Sequence, residues 1–413
     1  MTPNALSVAL AERRAAGKRV LDLTASNPTE CGFTYDSEAI LAALSNPSSL
    51  IYDPQPRGLL TAREAVCEYY AARGDRVSPD DVVLTTSTSE AYSFVFRLLC
   101  NAGDEVLVPQ PSYPLFDFLA ELSDVRLVRY PLLYDHGWQI DFHSLEQAIT
   151  PRTRAIIVVH PNNPTGNFSK AHEIAQLSEI CAARGLAIIA DEVFLDYSFG
   201  QDGGETHTSL PELAPQSFAS NAGALTFTLS GLSKISGLPQ MKASWLVTSG
   251  PEKLREVSLS RLEVIADTFL SMNAPVQHAM PALLRLRHAF QTQLTSRALH
   301  NLGELDRQLV GGRGDWARLR LEGGWYAVLR LGAQCDAGDL AMRLLEDAGV
   351  YLHPGLFYDF AGERYLVVSM ITPSRDFSNG VRTLIAKRDS GEGKRSDVCG
   401  ESPVANTEAI DEL

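Results

Sequence analysis

Three apolar runs each deliver one chemically useful side chain. Lys234 stands in Leu229-Ser230-Gly231-Leu232-Ser233-Lys234, just past residues 224–229, which read as a buried strand. Asp191 follows a second run, 187–190, and Asn163 lies in His160-Pro161-Asn162-Asn163-Pro164-Thr165-Gly166 after a third, 156–159. A charge beside a buried strand is costly unless it has a partner or a task. Buried strands that carry an Asn, an Asp and a Lys to one edge of a sheet make a small-molecule site. Lys with Asp is the pair that pyridoxal phosphate requires: an amine for a Schiff base and a carboxylate for the pyridinium nitrogen.

Two further stretches belong to the same edge. Thr85-Thr86-Ser87-Thr88-Ser89-Glu90-Ala91 joins a strand to a helix. Small hydroxyl residues there can surround an anion at the helix N-terminus, or Ser87 or Ser89 can simply cap the helix. Tyr113, in Pro111-Ser112-Tyr113-Pro114, follows another strand and can stack on a ring face.

The elements that must position these residues alternate along the chain. Helix is expected over 5–17, 60–73, 89–100, 114–122, 141–149, 170–184 and 252–266, and as one long helix over 274–310. Strands are expected at 20–23, 82–85, 105–108, 125–130, 155–159, 186–190, 224–229 and 243–247. That rhythm predicts an α/β fold: a three-layer αβα large domain with a mostly parallel sheet. Residues 319–331, 336–348 and 365–370 suggest a smaller α+β domain. The expected organisation is an arm and part of the small domain over 1–48, a large cofactor domain over 49–268, and a small domain over 269–385. Residues 386–413 turn polar and read as a disordered tail.

Composition bounds the function. The chain has 413 residues, 45% hydrophobic and 21% charged, enough for two domains. Its 36 basic and 50 acidic residues leave a formal charge of -14, which argues against nucleic-acid or anionic-membrane surfaces. The six cysteines show no CxxC or metal-ligand spacing, so reduced thiols and no metal are expected. No signal peptide is read at the start, and no apolar run approaches the ~18 residues of a membrane helix. A cytoplasmic protein is the expectation.

Taken together, Asn163-Pro164-Thr165-Gly166, Asp191-Glu192-Val193 and Ser233-Lys234 with Gly237-Leu238-Pro239 resemble the class I aminotransferases of the fold-type-I pyridoxal-phosphate superfamily. The resemblance runs from about residue 20 to residue 373. It implies that Lys234 carries the cofactor as a Schiff base and is the catalytic base. By the same resemblance Asp191 partners the pyridinium nitrogen and Asn163 the ring oxygen. Ser87, Thr88, Ser89 and Ser233 surround the phosphate, and Tyr113 stacks on the ring. Tyr52 would reach the phosphate of a neighbouring subunit, which implies a homodimer with shared sites. Asn27, Arg57 and Trp325 fall in stretches that line the substrate side of relatives or could reach it.

Three positions depart from the family pattern. Lys242 stands where an arginine usually braces the phosphate, supplying charge without a bidentate fork. Phe194 replaces a tyrosine that hydrogen-bonds the ring oxygen, and Val367 replaces the arginine that clamps the substrate carboxylate. The function implied is an aminotransferase of amino acid metabolism, moving an amino group between an amino acid and a 2-oxo acid. A lyase or decarboxylase with the same cofactor is the alternative, because the missing clamp normally orients the bond to be broken. A non-enzymatic effector domain would need an attached DNA-binding domain, for which no room is read before residue 20. With Phe194 in place of tyrosine, the Schiff base at Lys234 is expected to keep its proton to higher pH than in typical relatives. Titrating its visible absorbance band checks this, and a band mostly deprotonated near neutrality contradicts it.

Overall fold

The computed structural model describes residues 4–199, 215–310 and 316–391. Its strands run in chain order as β1 (Leu21–Asp22), β2 (Val82–Thr85), β3 (Glu105–Gln110), β4 (Arg126–Tyr134), β5 (Trp138–Ile140), β6 (Thr153–Val159) and β7 (Ala187–Asp191). They continue as β8 (Thr226–Gly231), β9 (Ser244–Ser249), β10 (Ala317–Arg318), β11 (Tyr326–Arg330), β12 (Val350–Tyr351), β13 (His353–Pro354) and β14 (Tyr365–Ser369).

Eight strands form the large sheet in the order β2-β9-β8-β7-β6-β3-β4-β5. All neighbours are parallel except where β9 lies between β2 and β8 and where β5 closes the edge on β4. Strand alternation divides the core into layers. Val106, Val108, Ala155, Ile157, Val159, Ala187 and Ile189 pack on one face with Phe94, Phe96 and Leu262 from helices Thr88–Leu99 and Glu252–Phe269. The intervening Leu107, Ile156, Val158 and Ile188 pack on the other face with Ile174, Leu177 and Cys181 of helix Ala171–Arg184. Burial on both faces explains why these strands read as continuous apolar runs.

The smaller sheet is antiparallel, in the order β10-β11-β14-β13, and the amino-terminal β1 pairs with β12 in parallel. The α/β large domain and smaller α+β sheet match the expected fold class. Several details differ from the expected elements, among them the unexpected helix Ser37–Leu44 and the short strands β12 and β13. Strand β5 was not foreseen, because three residues are too few to show a period. The long helix over 274–310 is two helices, Ala274–Arg285 and Arg287–Val310. At the break, the Leu286 N–H turns back to the carbonyls of Ala282 and Leu284, and Arg287 Nη1 bonds the Leu284 carbonyl at 2.6 Å. The first of these helices packs Val276, Met280 and Leu283 against Leu59, against Tyr69 of helix Leu60–Ala71 and against Trp245 of β9. The last helix runs Ser374–Gly391, past the expected start of the tail at 386, while the rest of that tail, 392–413, lies outside the described residues.

One seam docks the small sheet onto the site. The Gly166 carbonyl accepts from the N–H groups of Glu322 (3.2 Å) and Gly323 (2.9 Å), and Gly324 N–H donates to the Tyr197 carbonyl at 2.8 Å. Gly166 sits at φ +70°, and a Cβ there would lie 2.5 Å from the Gly323 carbonyl oxygen and collide with the Leu321 side chain. Gly166→Ala should therefore lower the unfolding free energy by about 1–3 kcal/mol, from left-handed strain plus overpacking. Denaturant titration measures this, and an unchanged midpoint would contradict the tightness of the seam.

Candidate active site

Strands β2, β3, β6, β7 and β8 are mutually parallel, so their carboxyl ends open on one crevice, where α/β sheets place ligands. A cavity of about 490 Å³ lies there. Ser87, Thr88, Ser89, Ser233 and Ser244 line it, with Tyr113, Asn163, Asp191 and Lys234 and with Thr24, Ser26, Tyr326, His353 and Tyr358.

The hydroxyl-rich part of the lining is built by a helix N-terminus. Ser87 is the N-cap of the helix Thr88–Leu99, its Oγ accepting from the Glu90 N–H at 3.1 Å, while the Glu90 carboxylate accepts from the Thr86 N–H at 2.6 Å. Capping and anion binding, alternatives in the sequence, coexist here. The cap fixes the first turn, whose outward N–H groups suit an anion. Ser244 was missed by the sequence reading. It pairs with Thr85 of β2 and with Gly231 of β8, because the antiparallel β9 runs between them. A Cβ on Gly231 would collide with the Ser244 hydroxyl and lie 2.9 Å from the Ala243 carbonyl, so only glycine leaves this cradle open.

Asp191 Oδ2 accepts from the Tyr92 hydroxyl at 3.1 Å and Oδ1 from the Val193 N–H at 3.2 Å. Burial pushes its pKa up to about 6, against the pull of those two bonds and of Lys234. Tyr92 carried no sequence signal beyond its place in an apolar helix. Asn163 faces the cavity with its amide oxygen unpartnered.

Lys234 lies in the short helix Leu232–Ile235. Its backbone is pinned: the Tyr197 hydroxyl donates to the Lys234 carbonyl at 2.5 Å, and Gln291 Nε2 to the Ile235 carbonyl at 3.0 Å. Its Nζ stands 3.4 Å from the Ser26 carbonyl and 4.7 Å from the Trp325 ring centre. Burial lowers its pKa to about 8, opposed by Asp191.

Other expected site residues lie elsewhere. Lys242 is exposed, caps the turn Pro239–Met241 in left-handed conformation, and does not line the cavity. Tyr52 is 80% exposed and likewise absent from this chain's own cavity. Arg57 Nη2 bonds Glu263 at 2.7 Å and its Nη1 the Asp80 carbonyl at 2.9 Å. Asn27 Oδ1 is occupied by the Thr29 N–H and hydroxyl, capping a turn. Trp325 is fully buried behind Lys234, packed edge-on to Phe194 and Tyr197. Phe194 itself lines the cavity.

The family profile described as Aminotransferase class I and II matches residues 18–375. The chain belongs to that family. Glutamate-pyruvate aminotransferase AlaA of Escherichia coli is 34% identical over 269 residues, covering 65% of this chain and 64% of that relative's own length. Alanine aminotransferase of Mycobacterium tuberculosis is 33% identical over 279 residues, covering 66% and 62%. Among solved structures, an Escherichia coli aminotransferase superposes with a TM-score of 0.77 at 26% identity, covering 94% of this chain and 95% of that one.

Pyridoxal phosphate is the cofactor of class I and II aminotransferases, and this cavity fits it. The glycine-lined hydroxyl cup suits a phosphate, Asn163 lines the cavity with an amide Nδ2 that can donate to a ring oxygen, and Asp191 and Lys234 supply the carboxylate and amine. A neutral amine is needed to capture an aldehyde. The rate at which apo-protein takes up pyridoxal phosphate should therefore rise with pH and level off above about 8, rather than near the ordinary lysine value of 10.5. Stopped-flow absorbance reads this, and a rate still climbing steeply beyond pH 9 would contradict it.

Proposed function

We propose that this aminotransferase-family protein is an active pyridoxal-phosphate-dependent transaminase that moves an amino group between an amino compound and a 2-oxo acid. The observation that carries the reading is Lys234 held at the end of β8 beside Asp191 at the end of β7, above a serine-rich anion cup. Bound there, pyridoxal phosphate supplies an electrophilic carbon for the amine and an electron-withdrawing ring. The Ser87–Ser89 turn with Ser233 and Ser244 would hold its phosphate, Asp191 its ring nitrogen and Asn163 its ring oxygen. Tyr113 would lie against its ring.

Lys234 then has two tasks. Its Nζ, with a pKa near 8, is neutral in a useful fraction of molecules at physiological pH, so it can take a proton and return it. The bond from Tyr197 to its backbone carbonyl keeps the lysine backbone fixed while the side chain moves. Tyr92 and the Val193 N–H orient the Asp191 carboxylate and favour its ionised form.

A homodimer with shared sites accords with the exposed apolar arm. Leu50, Ile51 and Tyr52 are 91%, 66% and 80% exposed, and Val264, Phe269 and Leu270 are also open. A second copy of the chain would cover them and bring Tyr52 to the neighbouring phosphate. A cytoplasmic site of action accords with the free thiols of Cys31, Cys67, Cys100, Cys181 and Cys335. Among the described residues no helix is long and apolar enough to cross a membrane.

Absorbance of the cofactor-loaded protein tests the reading. An amino donor should convert the visible band to the near-ultraviolet band of the pyridoxamine form, and a 2-oxo acid should restore it. Lys234→Ala should abolish both conversions. A visible band that no amine in a broad panel converts would overturn the proposal.

A further inference from the structure

The cavity wall supplied by Thr24, Ser26, Tyr326, His353 and Tyr358 is polar but uncharged. Among the described residues that line the cavity, Lys234 is the sole Lys or Arg. Val367, at the position the resemblance assigns to a carboxylate-binding arginine, is 1% exposed and pairs in register with His353 on β13 and Val328 on β11. Register partners on adjacent strands share a face of the sheet. His353 is therefore the polar side chain beside Val367, and its imidazole lines the cavity.

That imidazole is the centre of a relay. Its Nδ1 is 3.2 Å from the Tyr358 hydroxyl and its Nε2 is 3.2 Å from the Tyr351 hydroxyl. Both ring nitrogens are thus occupied by groups that can donate or accept. Burial keeps the imidazole neutral, its pKa pushed down to about 4, and raises Tyr358 well above the ordinary phenol value. The charged side chains that bear on Tyr351 and His353 are Asp22 and Arg14, which pair with each other at 3.4 Å. Tyr326 and Ser26 line the cavity beside the relay. Arg297 gives its guanidinium to the carbonyls of Cys31 (2.9 Å) and Ile371 (3.3 Å) and stacks on Phe33, outside the cavity lining.

We propose that the Tyr351–His353–Tyr358 relay is the specificity determinant of the substrate end, and that it selects an amino donor bearing an uncharged hydrogen-bonding group, such as an amide or hydroxyl, beside the reacting carbon. A carboxylate seated there would lose its hydration against neutral hydroxyls with no guanidinium to compensate it. An amide carbonyl or a hydroxyl exchanges water for Tyr358 and Tyr326 without that penalty. The direction follows from charge: a guanidinium clamp rewards a carboxylate, whereas a neutral relay rewards groups that match its donors and acceptors.

This inference rests on the transaminase reading, and one experiment separates the two. The cofactor-loaded protein is titrated with L-alaninamide and with L-alanine, and the equilibrium shift of the visible band is expressed per concentration of unprotonated amine. Alaninamide should bind about tenfold more tightly than alanine. Tyr358→Phe should remove most of that preference while leaving the affinity for pyridoxal phosphate unchanged. Alanine binding as tightly as alaninamide, or a Tyr358→Phe protein with the preference intact, would overturn the inference while leaving the transaminase reading standing. The wild-type comparison needs no variant to fold. A protein that forms no visible band with pyridoxal phosphate would instead overturn the functional reading itself.

Discussion

Two ionisable groups, the Lys234 amine and the Asp191 carboxyl, sit at the ends of adjacent buried strands, and enclosure disfavours the charged form of each. Much of the surrounding structure holds them where their mutual attraction and a few hydrogen bonds offset that cost. Tyr92 and the Val193 N–H hold the carboxylate from two sides. Tyr197 and Gln291 hold the backbone of the lysine helix, and the Trp325 ring lies against its ammonium. A free surface lysine would be protonated and mobile; this one is shifted towards neutrality and fixed at its base.

The small sheet completes the site rather than merely adjoining it. Strand β1 pairs with β12, and the Ser369 hydroxyl bonds the Ala25 carbonyl at 2.6 Å, which leads Thr24 and Ser26 to the cavity. The Gly166 and Tyr197 carbonyls hold the 322–324 segment, which leads Trp325 to the Lys234 amine and Tyr326 to the cavity. Gly231 and Gly166 stand at the two tight approaches, one opening the anion cup and the other closing the seam. The cavity wall that carries Thr24, Ser26, Tyr326, His353 and Tyr358 is thus built by elements far in sequence from Lys234.

Much of this was legible beforehand, and the failures have physical causes. The strands before Asn163, Asp191 and Lys234 are buried on both faces, so they appear as unbroken apolar runs; Asp191 closes its own strand, while Asn163 and Lys234 follow theirs within four residues. The helix expected over 170–184 is found at Ala171–Arg184, closed by Gly185 in left-handed conformation. The break at Leu286 was not legible, because apolar residues recur at helical spacing on both sides of it. Arg57 and Asn27 were plausible site residues by position alone. Their side chains are instead taken up by Glu263 and by the Thr29 turn, partners that position along the chain does not reveal.

Local pattern determined the α/β class, the strand ends and the identity of the lysine, aspartate, asparagine and serine turn, because burial and capping act over a few residues. Tertiary structure decided which distant side chains meet them. Ser244 reaches the anion cup only because β9 inserts antiparallel between β2 and β8. Tyr92 reaches Asp191 across 99 residues of chain. His353 stands beside Val367 because β13 pairs with β14. Strand order and register are properties of the assembled sheet, set by the sum of many contacts, and no single stretch of sequence encodes them.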